Sequence, residues 1–356
     1  MKKIDRYIGQ NVLGGVFLVL TTLVGLFAFF SFIEEVDDIG KHNYGLWQAV
    51  EYVLLEIPQN VYDLFPTASL LGSLIGLGLL VNNNELTVLR AAGVSIGRIA
   101  LAVLKMSLIL TFISMLIGET LAPRSDQYAE KFRAIAQSEQ QRMAFDRRYG
   151  FWARDGNHFI NIRSILSNGG FEAISLYKLD KTQRLQTFIF AKTAYYWDNQ
   201  WLLEDVEKTT ISNTEVKREF LKNMTWKAVL NPDLVKIVDI RPENLSSLGL
   251  YKYIQYLKDN NRRSAEQELA FWKRLSYPLV STVMVLLAIP FVFGSSRSVT
   301  IGQRILVGAL WGIGFFMLNQ IVTNFGLVYN ISPILSAFLP PLLFMGFTLF
   351  LLKRVV

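Results

Sequence analysis

The sequence predicts an α-helical membrane protein of six transmembrane helices, with an all-β domain of sandwich or jelly-roll type inserted after the third. Three observations carry this expectation. Six segments, 12–33, 64–81, 99–121, 275–293, 305–328 and 331–352, are apolar over about the 20 residues a helix needs to cross the hydrocarbon core. The segment 123–272 is too long for a loop and too polar for a bilayer. Within it, short runs of alternating polarity separated by turn residues outnumber helical patterns. The chain therefore divides into 1–122 (first three helices), 123–272 (outer β domain with helical connectors) and 273–356 (last three helices).

The composition agrees. Of 356 residues, 51% are hydrophobic, which suits a membrane unit plus a separate folded unit. With no cysteine, disulfides, thiol catalysis and Cys-ligated metals are excluded, and His42 and His158 are too far apart in sequence to suggest a metal site. The first apolar run is long and has no small-residue cleavage pattern before Glu34 and Glu35, so it is expected to stay as an anchor.

Six spans put both termini on one face. On that assignment the inner segments hold Lys2, Lys3, Arg6, Arg90, Arg98, Arg297, Arg304, Lys353 and Arg354 against only Asp5 and Glu85. This bias marks the inner face as cytoplasmic. The first outer loop opens instead with Glu34, Glu35, Asp37 and Asp38, a run expected to be a solvated boundary.

Several spans carry features beyond apolarity. Gly72, Gly76 and Gly78 give the second a small-residue face for close helix packing. Lys105, inside the third, is expected to snorkel to the inner surface. Pro278 and Pro290 are expected to kink or cap the fourth, and Asn319, Gln320 and Asn324 in the fifth to bond neighbouring helices.

The outer segment begins with a helical stretch, 125–143, that continues out of the membrane. Two hairpins follow: 151–154 with 158–162 around Asp155-Gly156-Asn157, and 193–198 with 201–206 around Asn199-Gln200. Further alternating runs cover 174–179, 185–191 and 215–229, making seven or eight strands without intervening helices. From 248 to 272 the pattern is helical again and leads back to the bilayer.

The polar stretch 82–98 is wedged between two spans. Leu86, Leu89 and Ala92 recur at helical spacing, Asn84 can cap the start and Gly93 can stop it. A helix of about two turns across 84–93 would either connect two spans or dock on a soluble partner, with Glu85 and Arg90 as charged contacts.

No catalytic signature is found. There is no G-x-x-x-x-G-K-[ST], no G-x-S-x-G and no H-E-x-x-H, so the chain is not its own ATPase and neither a serine hydrolase nor a zincin is indicated. Basic and acidic residues are interleaved through the outer segment, which argues against nucleic acid as a partner. Binding or transport remains.

Several motifs resemble those of lipopolysaccharide export permeases: Asp5-Arg6-Tyr7-Ile8-Gly9, Phe65-Pro66 with Leu70-Leu71-Gly72, Asn84-Glu85-Leu86-Thr87-Val88 running to Ala91-Ala92-Gly93, and Ala122-Pro123. Their order covers essentially the whole chain. Leu121-Ala122-Pro123, Trp152-Ala153-Arg154-Asp155-Gly156, and Phe293-Gly294 with Arg297-Ser298-Val299 are most similar to the G-type of that family's two paralogues. The resemblance implies a non-catalytic inner-membrane subunit of an ABC transporter whose large domain is a periplasmic jelly roll. It implies an F-type paralogue, two copies of a cytoplasmic ATPase that carries the ATP and Mg, and a single-span accessory protein with a jelly roll of its own. Lipopolysaccharide would be extracted from the inner membrane and passed to a periplasmic bridge of similar domains.

In that setting 84–93 corresponds to the coupling helix, with Glu85, Leu86, Leu89, Arg90, Ala92 and Gly93 as the residues facing or shaping the ATPase contact. The family leads one to expect cationic side chains at the outer end of the first span. Here Glu34 and Glu35 stand there, leaving Lys41, Arg124, Lys131 and Arg133 as the candidates for lipid phosphates. The runner-up is a secondary transporter of a small solute, which would want intramembrane acids near the midplane. A scaffold for the β domain is a third reading, for which six spans are excessive.

Overall fold

The computed structural model describes residues 3–40, 43–136, 143–144, 151–155, 158–165, 170–180, 184–197, 200–212, 215–226, 242–260, 262–293 and 301–355. Nine α-helices and seven strands occur among them. The helices are α1 (Lys3–Val36), α2 (Leu46–Asn82), α3 (Glu85–Ala91), α4 (Ile96–Leu116), α5 (Ala122–Ala136), α6 (Ser247–Asp259), α7 (Ala265–Phe293), α8 (Ile301–Val328) and α9 (Pro333–Val355). Six helical stretches are long and apolar enough to cross a membrane, matching the six expected segments in order.

These helices overrun the apolar segments. α2 starts at Leu46, so its first turns lie before the apolar run and carry Glu51, Glu56 and Asp63. α7 likewise begins at Ala265, bringing Glu266, Glu268 and Arg274 onto the helix that becomes the fourth span. Pro278 and Pro290 lie inside α7, which continues through both.

The bundle centres on α2 and α7, the most buried of the candidate spans. Their core joins Leu70, Leu74, Leu77 and Leu80 of α2 to Val283, Met284, Leu287 and Ile289 of α7. α1 lies against α2 so closely that a Cβ on Gly15 would collide with the Gly72 carbonyl, and one on Gly76 with the Asn11 carbonyl. The small-residue face of the second span is thus spent on α1. Gly308 and Gly312 of α8 face Leu74 and Leu70, whereas Gly14 and Gly314 face open space. Lys105 points outward from α4, in keeping with snorkelling, and so do Gln320 and Asn324 on α8, where helices of this chain do not cover them.

Between α5 and α6 lies one antiparallel sheet: β1 (Met143–Ala144), β2 (Phe151–Asp155), β3 (His158–Ile165), β4 (Phe171–Leu179), β5 (Leu185–Trp197), β6 (Gln200–Ile211) and β7 (Val216–Trp226). β1 and β2 pair with opposite ends of β3, and β3 to β7 follow one another as a meander. Both expected hairpins form, β2 with β3 and β5 with β6, while 185–191 and 193–198 prove to be parts of the single strand β5. The bridge register passes over Arg163, Ala173, Lys192, Asp205 and Lys222 on five successive strands. Ala173 and Asp205 have φ of 54° and 50° on that line, a crease across the sheet.

One face of the sheet is buried. Ile160, Ile162, Ile174, Leu176, Leu203 and Val206, with Phe171 stacked on Trp201 at 4.3 Å, pack against Leu250, Tyr253 and Tyr256 of α6. An inserted all-β unit is thereby closed by the helix that leads back to the membrane. β7 is the far strand, with Val216 and Phe220 exposed.

Candidate functional site

The stretch that links α2 and α4 folds as expected in outline and differently in orientation. α3 spans Glu85–Ala91. Asn84 takes a left-handed conformation, φ 61°, and its side chain makes no capping bond, so the expected N-cap is corrected. The reversal from α2 into α3 is made through that left-handed backbone turn. The stop is as expected. Gly93 has φ 87°, and the closing bonds run from its N–H to Arg90 O and from the Val94 N–H to Leu89 O, each 3.0 Å.

Leu86 is only 1% exposed and belongs to the same core as Leu80, Val94 and Ile99. Leu89 packs partly against that core. The expectation that Leu86 enters a partner's pocket is therefore corrected, while Leu89 is half-buried between that core and the surface. A helix of two turns has one apolar stripe, and the chain's own spans take it. What faces outward is Thr87, Val88, Arg90, Ala91 and Ala92, with Val88 66% exposed.

Glu85 is not a free rim charge. The Tyr7 hydroxyl donates to its Oε2 at 2.7 Å and the Asn83 amide to its Oε1 at 3.3 Å. Beside them, Arg98 at the start of α4 lies 3.6 Å from Asp5. The first turns of α1 thus fasten both ends of the connector. The Asp5-Arg6-Tyr7 motif marked this place in the sequence, although nothing in the spacing showed that its partners lie 78 and 93 residues on.

At the outer end, the four phosphate-contact candidates separate. Lys41 lies outside the described residues. Arg124 and Lys131 are exposed on α5. Arg133 is engaged: its Nη2 lies 3.0 Å from Glu35 Oε1 and 2.6 Å from Asp38 Oδ2, and its guanidinium covers the Tyr52 ring at 5.1 Å. Tyr44 donates to the other oxygen of Glu35 at 2.5 Å, and burial together with that bond pushes the Tyr44 phenol above its usual range. The acidic run after the first span is accordingly no mere solvated boundary, since Glu35 and Asp38 neutralise the cation that was expected to meet substrate.

Removing Arg133 takes the counter-charge from the Glu35 carboxylate, which is 4% exposed and keeps the Tyr44 hydroxyl bond. Breaking a buried pair from one side costs about 3–5 kcal/mol. Arg133→Ala is expected to fall at the lower end, because its side chain is 30% exposed, and Glu35→Gln with Asp38→Asn is expected to restore most of the loss. Arg124→Ala and Lys131→Ala are expected to leave stability unchanged. Thermal unfolding in detergent reads all of these, and an Arg133→Ala protein as stable as the parent would discard the pairing.

No group of three or more His, Asp or Glu side chains among the described residues could hold a metal ion. Glu119, which lies inside the apolar segment expected for the third span, and Arg274, just before the fourth, escaped the sequence reading altogether. Glu119 is a single charge among apolar residues and Arg274 follows Lys273 at the edge of an apolar run, and only the fold brings the two together.

The model of the family described as lipopolysaccharide export system permease LptF/LptG matches residues 6–354. The chain is 38% identical over 353 residues to the lipopolysaccharide export system permease protein LptG of Haemophilus influenzae, covering 99% of this chain and 98% of that one. It is 35% identical over 354 residues to the protein of the same name from Escherichia coli strain K12, again covering 99% and 98%.

Proposed function

The chain belongs to the LptF/LptG family of lipopolysaccharide export system permeases, and from that premise we propose that it is the G-type permease subunit of an ABC transporter in the bacterial inner membrane. It takes lipopolysaccharide out of the inner membrane and passes it to a periplasmic bridge of β domains. Full-length similarity, from the first span through the inserted β unit to the last, is the observation that carries this reading. A small-solute transporter is disfavoured by it.

The physical demands of the cargo fit. An amphiphile with several acyl chains costs about 0.8 kcal/mol for every CH₂ brought out of apolar surroundings, so extraction needs outside work and a greasy route. This chain has no nucleotide-binding signature. The ATP and Mg belong on two copies of a cytoplasmic ATPase, and the permease itself does no catalysis. The outward face of α3 is where that ATPase docks, with Val88, Ala91 and Ala92 as apolar contact and Arg90 at the rim. With α3 on the cytoplasmic side, six spans put both termini in the cytoplasm and the sheet in the periplasm on this reading.

α1 and α8 have the least buried candidate spans, 17% each, which suits helices that complete a cavity with an F-type paralogue. Gly15, Gly308 and Gly312 are spent within the chain, so Gly14 and Gly314 with Phe17, Ile313 and Phe316 are the contacts to expect there. A single-span accessory protein with its own jelly roll joins beside them, and β7, the outermost strand among the described residues, is the edge proposed to meet a neighbouring β domain.

The test is reconstitution. Liposomes carrying this chain, an F-type permease and the ATPase are expected to release lipopolysaccharide to a soluble β-domain acceptor only when ATP is hydrolysed. Release by this chain and the ATPase alone, or no release from the full set, would overturn the assignment.

A further inference from the structure

The third spanning helix does not end as an α-helix. Residues Ile117–Leu121 form a π turn, in which the Ala122 N–H reaches back five residues to Ile117 O. In that register the next carbonyl, Gly118 O, looks to residue 123 for its donor. Residue 123 is proline, which has no N–H. The donor comes from another helix: Arg274 of α7, 5% exposed, gives Nη1–H to Gly118 O at 2.8 Å.

The same guanidinium lies 3.3 Å from Glu119 Oε1 and covers the Tyr62 ring at 5.3 Å. Tyr62 in turn stacks on Tyr277 at 4.2 Å, and a Cβ on Gly118 would collide with its ring. Glu119 reaches onward. Its carboxylate accepts the Ser247 N–H at 2.9 Å and the Ser247 hydroxyl at 2.7 Å, at the first turn of α6. α6 is the helix whose Leu250, Tyr253 and Tyr256 close the buried face of the sheet.

We propose that Glu119 and Arg274 are positioning residues that tie the inserted β domain to the outer ends of the third and fourth spanning helices, so that cargo leaving the membrane meets the sheet in one orientation. One carboxylate gathers donors from the helix that carries the sheet and from the guanidinium that mends the π turn. Charge-assisted bonds of this kind hold direction as well as distance, and a carboxylate at a helix N-terminus is favoured by the helix dipole. Both contacts run from the one Nη1 while the guanidinium face lies on the Tyr62 ring, a stacking that suits a planar, delocalised cation better than a lysine ammonium. Any displacement of α4 against α7 is thereby passed to α6 and the sheet. A π turn packed on a buried aromatic pair, at the place where the chain leaves the bundle, is where such a joint is to be expected.

The proposal rests on the export reading, and its test keeps the two apart. The protein is assembled with its partner permease and ATPase in liposomes containing lipopolysaccharide, with a photocrosslinking side chain at Ile189, which packs partly against the core of the sheet. Adduct formation reports hand-off; ATP hydrolysis and unfolding temperature are measured on the same samples. Glu119→Gln and Arg274→Gln are expected to lower the ATP-dependent adduct at least fivefold while hydrolysis stays within twofold. Pro123→Ala added to Arg274→Gln restores an N–H for Gly118 O, and is expected to recover unfolding temperature but not the adduct. Unchanged adduct in the single variants, or recovery of the adduct together with stability in the double variant, overturns the positioning role. Absence of any adduct in the parent protein overturns the export reading itself.

Discussion

Val88→Asp is expected to strip the ATPase from the purified complex while leaving the unfolding temperature of this chain unchanged, and Leu86→Asp to lose both. The two positions are one helical face apart on α3, yet their surroundings are opposite. Val88 is 66% exposed and touches no core, whereas Leu86 is 1% exposed among Leu80, Val94 and Ile99. If Val88 is the apolar anchor in a pocket of the ATPase, its burial is worth about 1.5–3 kcal/mol. At 1.4 kcal/mol per tenfold, that is about ten- to a hundredfold in affinity before the cost of the introduced carboxylate. At Leu86 the carboxylate would enter the core without a partner, and α3 would leave its seat. Leu86→Ala is the milder control, expected to cost about 2–5 kcal/mol of stability. Co-purification of the ATPase, read beside thermal unfolding, separates the outcomes. Full ATPase retention by Val88→Asp would mean that α3 is a connector and that the contact lies on the other inner loop, 294–304.

How much of this was legible in the sequence depends on the range of the interaction. The spans were legible because apolar length alone decides them, and the hairpins β2–β3 and β5–β6 because turn chemistry and alternation are local. Gly93 was legible for the same reason: a helix stop is written within a few residues. Leu86 was assigned correctly as apolar and wrongly as outward, because a stripe on a short helix does not say which neighbour takes it. Arg133 looked like a cation awaiting phosphate until α5 was seen to place it against Glu35 and Asp38, nearly a hundred residues earlier. Glu119 and Arg274 left no signal beyond being charges near apolar segments, since their pairing crosses the whole inserted domain. The Ala122-Pro123 motif, carried over only as a resemblance, acquires a physical role once the missing N–H at residue 123 is set beside the Arg274 donor.

The other large effect is expected at the α1–α2 crossing, where Gly72→Ala is predicted to destabilise the chain although alanine is the better helix former. In an open helical position the change from glycine gains roughly 0.8–1 kcal/mol of propensity. At Gly72 the added Cβ would collide with the Val16 backbone, and at Gly76 with Asn11 and Val12, so there is no flexible side chain to give way. Overfilling a packed site costs about 1–3 kcal/mol where side chains can adjust, and more is expected where two backbones must part. Between lipid-embedded helices there is little hydrophobic drive to recover the loss, because close contact is itself the main attraction. Gly14→Ala and Gly314→Ala, at positions with nothing within 4 Å, are expected to be neutral or slightly stabilising in the isolated chain. They become harmful only if a second permease packs there, which measurements on the assembled complex would show as loss of the paralogue without loss of fold. A parent-like unfolding temperature for Gly72→Ala would remove the close crossing. In that case Asp5 and Tyr7 would no longer be held against Arg98 and Glu85 by the packing of α1, and the hold of the first helix on α3 would have to rest on those polar contacts alone.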